Sequence, residues 1–137
     1  AQHSANIYQQ LLGSKLIIEP QLAERDLGDW QGQAVDDLSH RADYHEIFHQ
    51  VTLLTTHNGE SAQACGQRIM SCLVELAQRL SNQHIAVVFH GEALRCLVHL
   101  LGRVSTSNAF SLYRNGCIIE LSFDPSSRSL ALVESTK

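Results

Sequence analysis

This chain lacks a surplus of positive charge, a long apolar run and an evident nucleophile. Ten Lys and Arg stand against fourteen Asp and Glu, a net charge of −4. That excludes the clustered basic face of a nucleic-acid binder. A negative total still permits a local anion site, because such a field is local. The apolar runs are far too short to span a bilayer, so no membrane partner is expected. The opening residues Ala1-Gln-His-Ser-Ala-Asn have neither a basic start nor an apolar core and do not read as a signal peptide. Cys65, Cys72, Cys96 and Cys117 show no paired C-x-x-C spacing. They are expected to be free thiols in a cytoplasmic protein. His40, His45, His49 and His57 contain no H-E-x-x-H, and Asp43 and Glu46 fall off the face that His45 and His49 share, so no metal is expected. No G-x-S-x-G elbow occurs either, which argues against a serine-triad hydrolase.

What remains is an ordinary globular composition. Hydrophobic residues make up 44% and charged residues 18%, which rules out a disordered chain. The length suits one domain over residues 1–137, without repeat, linker or low-complexity tract. Ala5, Tyr8, Leu11 and Leu12 are spaced as on a helix that stops at Gly13. Leu16–Glu19 reads as a short strand before Pro20, and residues 20–34 as a loop. One or two short helices are expected over 35–52. The stripe Cys65, Ile69, Leu73, Leu76, Leu80 predicts a long helix from about Glu60 to Leu80, with Asn58 as its N-cap. His84–Phe89 is apolar throughout, as in a strand covered on both faces, and Glu92–Leu101 is helical up to Gly102. Ala109–Tyr113, Cys117–Phe123 and Leu130–Glu134 read as strands, with turns at Asn115-Gly116 and Asp124-Pro-Ser-Ser. The order predicts an α/β sandwich with an antiparallel edge.

Two segments carry the chemistry. Ile85-Ala-Val-Val-Phe-His-Gly-Glu-Ala-Leu-Arg95 runs a strand into His90, Gly91 and a helix start. At such a junction backbone N–H groups face an anion, and glycine lets the main chain come close to it. Leu22-Ala-Glu-Arg-Asp-Leu-Gly-Asp-Trp-Gln-Gly32 places Glu24 in a glycine-studded loop. A positioned carboxyl can act as a general acid.

Four segments, in order, resemble the histidine phosphatase superfamily, which includes the cofactor-dependent phosphoglycerate mutases. Ala1-Gln-His-Ser-Ala is similar to the family's R-A-x-Q-T-A from its second residue on, with Ser4 for the common Thr. Leu22-x-Glu24-x-x-x-Gly28-x-Trp30-x-Gly32 resembles L-x-E-x-x-x-G-x-W-E-G, with Gln31 for Glu. Gly59-Glu60-Ser61 resembles G-E-S, and Val87-Val-Phe-His90-Gly91-Glu-Ala-Leu-Arg95 resembles V-V-S-H-G-x-x-[IL]-R, with Phe89 for Ser.

The resemblance implies a three-layer α/β/α fold with a mostly parallel sheet, and phosphoryl transfer to a histidine without cofactor or metal. Glu24 matches the family's proton donor. His90 matches the histidine that binds the transferring phosphoryl group, with the Gly91 backbone as a further donor. Arg95 matches a recurrent position, open between phosphate binding and a structural role. The family's nucleophile lies in an R-H-G motif that does not occur here, and neither does its next arginine. The chain thus resembles the family domain cut just after its second motif, with the N-terminal strand absent. Gly32 and Gly59 are separated by 26 residues. The mutases resemble this region but carry a longer insertion that covers the site and excludes water, so the short connection implies, by resemblance, a phosphatase acting on a small phosphorylated metabolite. Mutase-type transfer, α-ribazole phosphatase activity and a catalytically inactive phosphate- or partner-binding fragment are the alternatives. An exposed sheet edge leaves a homodimer open.

Overall fold

A computed structural model of the chain describes residues 1–134. The expected single unit runs on to Lys137, and residues 135–137 lie outside the described ones.

The molecule is built on two crossing helices. Helix α4 (Ala62–Arg79) and helix α5 (Gly91–Leu100) bury one stripe each, because their apolar residues recur at helical spacing. Ile69, Cys72, Leu73 and Leu76 pack with Cys65 against Ala93, Cys96 and Leu97. The crossing is close at Gly66, where a Cβ would stand 2.8 Å from both the Cys96 carbonyl oxygen and Leu100 Cδ1. Ser61, not Asn58, is the N-cap of α4: its backbone is extended and its hydroxyl accepts from Ala64 N at 3.0 Å. Asn58 instead turns the chain with φ 59° one residue before Gly59. The helix therefore starts two residues later than its periodicity predicts.

A second, smaller core holds the segment before α4. Helix α2 (Val35–Leu38) and helix α3 (Tyr44–His49) place Leu38 and Ile47 against Trp30, with Tyr44 and Phe48 around them. Helix α1 (Gln2–Leu12) ends at Gly13 in the left-handed region, as its sequence predicts, but buries none of its residues.

The strand expectations are met only at the C-terminal end. β1 (Leu121–Asp124) and β2 (Ser129–Leu132) form an antiparallel pair, Phe123 opposite Leu130, around the expected Asp124-Pro-Ser-Ser turn. Ala109–Leu112 is helix α6, not a strand, because Asn108 caps it by accepting from Ser111 N at 2.9 Å. The mostly parallel sheet is not found among the described residues. Residues 14–19 and 84–90 join no ladder, although Glu19 and His90 have extended backbones. A strand exists only through a neighbour about 4.8 Å away, and no described segment offers one to either stretch.

Candidate functional site

The first turn of α5 is the focus. His90 is its N-cap and is half-buried, with extended backbone and no side-chain capping bond. The N–H groups of such a turn have no intrahelical acceptor. The Glu24 carboxylate takes two of them. Oε1 accepts from Ala93 N at 2.8 Å and from Arg25 N at 2.8 Å, and Oε2 accepts from Glu92 N at 3.3 Å. Three amide donors thus fix the direction of the Glu24 side chain. The structure thus brings Glu24, His90 and Gly91, 66 residues apart in sequence between the first two, to one helix end. Gly91 is exposed, and its own amide stands at the first helical position, outside the Glu24 contacts.

Arg95 is the exception among the expected residues. Its guanidinium is 3% exposed and grips Glu92 through two bonds, Nε to Oε2 at 2.9 Å and Nη2 to Oε1 at 2.7 Å. Nη1 donates to the Gln50 carbonyl at 3.1 Å. Burial pushes this guanidinium's pKa down, but the Glu92 hydrogen bonds and charge outweigh it, and the net shift is upward. These bonds turn the Arg95 guanidinium toward Glu92 and Gln50, one turn below the helix end.

Beneath the site lies a residue the sequence reading missed. Arg25 is 1% exposed, and its guanidinium donates to three segments at once. Nε reaches the Glu60 carbonyl at 3.0 Å; Nη1 reaches the Ile47 carbonyl at 2.7 Å and Glu92 Oε1 at 2.9 Å. Glu92 was likewise unmarked, yet it joins both arginines. The Glu92–Arg95 spacing of three on a helix was a readable signal. The burial of Arg25 was not, since an arginine in a loop is usually solvated.

The loop around Glu24 is held from the other side by the segment before α4. Asp29 N donates to the His57 carbonyl at 3.0 Å, Glu60 N to the Asp26 carbonyl at 2.7 Å, and Thr56 Oγ1 to the Leu27 carbonyl at 2.6 Å. Gly28 has φ 51°, and a Cβ on it would lie 2.1 Å from the His57 carbonyl oxygen. Glu60 forms a two-pronged pair with Arg68, both bonds 2.8 Å, and Arg68 Nη1 also donates to the Ala23 carbonyl at 3.1 Å. Burial pushes the Glu60 carboxyl up, but Arg68 hydrogen bonding and charge hold it below its ordinary value. At the surface His57 Nδ1 lies 2.7 Å from Asp29 Oδ2. That bond, with a second from Asn58, holds the Asp29 carboxyl low.

The remaining candidates stand apart. All four cysteines are free thiols, Cys65, Cys72 and Cys96 buried and Cys117 exposed. The Cys96 thiol is pushed up by its bond to Cys65 and by burial. His45 and His49 stack at 4.6 Å, and no group of three or more metal-ligating side chains exists among the described residues. No described helix is long and apolar enough to cross a membrane.

The chain belongs to the histidine phosphatase superfamily, branch 1, whose family model matches residues 1–136. It is 29% identical over 120 residues to a 2,3-bisphosphoglycerate-dependent phosphoglycerate mutase of Methylorubrum extorquens (strain PA1), covering 82% of this chain and 56% of that protein. It is 28% identical over 131 residues to the probable phosphoglycerate mutase GpmB of Enterobacter sp. (strain 638), covering 91% of this chain and 60% of that one. The chain thus spans a little over half the length of these relatives. Among solved structures it resembles a mycobacterial glucosyl-3-phosphoglycerate phosphatase complexed with VO3, with TM-score 0.70 and 19% identity over 94% of this chain and 67% of that one. A structure described as mycobacterial hydrolase 1 matches with TM-score 0.64 and 20% identity, covering 91% of this chain and 65% of that one. These likenesses establish a phosphoglycerate mutase-like α/β fold.

Proposed function

We propose that this protein hydrolyses phosphomonoesters through a phosphohistidine intermediate, within the three-layer α/β/α architecture the sequence implies. The observation that carries the reading is Glu24 on the first turn of α5, beside its N-cap His90. In this reading His90 and the Gly91 amide hold the phosphoryl oxygens, where donors aimed at developing charge lower the barrier. Glu24 gives its proton to the ester oxygen as the P–O bond breaks and a P–N bond to a histidine forms. Water then attacks phosphorus, Glu24 takes the water's proton, and the P–N bond breaks. The attacking histidine of the family's R-H-G motif is not among the 137 residues, so the roles assigned concern the acid and the phosphoryl-binding side. Arg95 enters as a support for Glu92 rather than as a phosphate ligand.

Hydrolysis is favoured over transfer to a second substrate by the connection from Gly32 to Gly59. At 26 residues it is short for a segment that covers the site, and in this reading water is the acceptor. The proposed substrate is a small phosphorylated metabolite and the proposed setting the cytoplasm. Glu24→Gln in the full-length protein is expected to slow turnover of an alkyl phosphate by about 10² to 10⁴-fold. Steady-state kinetics check it, and unchanged turnover overturns the assignment.

A further inference from the structure

We propose that Arg25 is a positioning residue for Glu24, acting with Glu92 as its counterpart. The inference rests on the reading of Glu24 as the proton donor. Neighbouring residues 24 and 25 hold the same helix turn by two different handles. Glu24 accepts from the Glu92 and Ala93 amides, and Arg25 donates to the Glu92 carboxylate at 2.9 Å. Glu92 is thereby held at both its backbone and its side chain, and Arg95 bonds the same carboxylate, sharing Oε1 with Arg25. Arg25 is also the only buried residue from 23 to 29, a stretch that otherwise has only a 3-10 turn beginning at Gly28. Its bonds to the Ile47 and Glu60 carbonyls tie that stretch to the end of α3 and the start of α4.

Stability alone does not explain this arrangement. Two buried guanidinium groups share one carboxylate, and a terminal nitrogen of Arg25 has no partner among the described residues. Such clusters carry a desolvation cost that well-packed apolar residues avoid. What the planar fork supplies is direction: it reaches two carbonyls and one carboxylate in a fixed geometry, which an ammonium on a flexible stem does not reproduce. The consequence is a Glu24 carboxylate that cannot drift from the helix end. A displacement of about 1 Å at a catalytic group costs on the order of 10²-fold in rate.

The test compares two substrates in the full-length protein. The leaving group of p-nitrophenyl phosphate departs without a proton, and that of glycerol phosphate needs one. Arg25→Lys is expected to lower kcat/KM for glycerol phosphate, which reports phosphohistidine formation and not the shared hydrolysis that follows it, by about 10- to 100-fold. kcat/KM for the nitrophenyl ester should stay near the parent value. Glu92→Gln, which leaves both carbonyl contacts of Arg25 in place, should shift the same ratio in the same direction by less. It also serves if the Arg25 variant does not fold. A general structural role would lower both substrates together, and that result overturns the proposal. So does an unchanged ratio in both variants while Glu24→Gln keeps its selective loss, an outcome that spares the proton-donor reading. If Glu24→Gln itself shows no preference between the substrates, the proton-donor reading fails, and the positioning role falls with it.

Discussion

At the scale of single residues, Glu60 shows how a paired carboxylate couples stability to pH. Its pKa lies below the ordinary value because Arg68 outweighs the effect of burial. A depressed folded-state pKa stabilises above the unfolded value, about 4.3, and that contribution is lost as pH falls through the folded value. Urea midpoints should therefore drop between pH 5 and acid more steeply in the parent than in Arg68→Met. Equal slopes would remove Glu60 from the explanation. Gly28 offers a second test. Alanine there meets the His57 carbonyl at 2.1 Å in a left-handed backbone, so Gly28→Ala should cost about 3 kcal/mol. At Gly32, with φ 77° and no neighbour within 4 Å, only the backbone term applies, about 1 kcal/mol. Chemical denaturation of the two variants separates clash from strain. Glu24, His90 and Gly91 stand out as candidates in the sequence because residue type and local order mark them. Arg25 does not, because its burial comes from segments 22 and 35 residues further along the chain.

At the scale of elements, the α4–α5 crossing sets two rules against each other. Helix propensity says Gly66→Ala should gain about 1 kcal/mol. The added methyl would lie 2.8 Å from the Cys96 carbonyl oxygen, a backbone atom that cannot turn aside. Overpacking of that kind costs about 1–3 kcal/mol and outweighs the propensity. The expected net result is a loss, read from the thermal midpoint; a stabilised variant would mean that the helices are not this close. The long periodic helices were readable because both faces of each are written in one contiguous stretch. Ala109–Leu112 misled because four residues are too few to show a period, and the Asn108 cap decided them. Leu16–Glu19 and His84–Phe89 have strand composition, yet a strand is a property of two paired segments and not of one.

At the scale of the whole molecule, stability is unevenly spread. Cys65, Ile69, Cys96, Leu97 and Val98 are fully buried, while α1 buries nothing and leaves Leu11 and Leu12 in solvent. Local opening follows buried contact density. Amide hydrogen exchange should be slowest along α4 and α5 and fastest in α1 and residues 84–89. Protection in α1 equal to that in α4 would contradict this gradient. The Arg25–Glu92–Arg95 cluster joins α3 and the residue after it, the segment leading into α4, and α5.

By itself the sequence determined the helices with long periods, the glycine stops, the C-terminal hairpin turn and the segments that bear Glu24 and His90. Each is encoded by neighbours within a few turns of chain. Only the tertiary structure decided that Glu24 caps α5, that Arg95 points inward and that Arg25 lies at the junction of the two cores. Those outcomes depend on which donors remain free when distant segments pack and water is excluded. No local pattern records that.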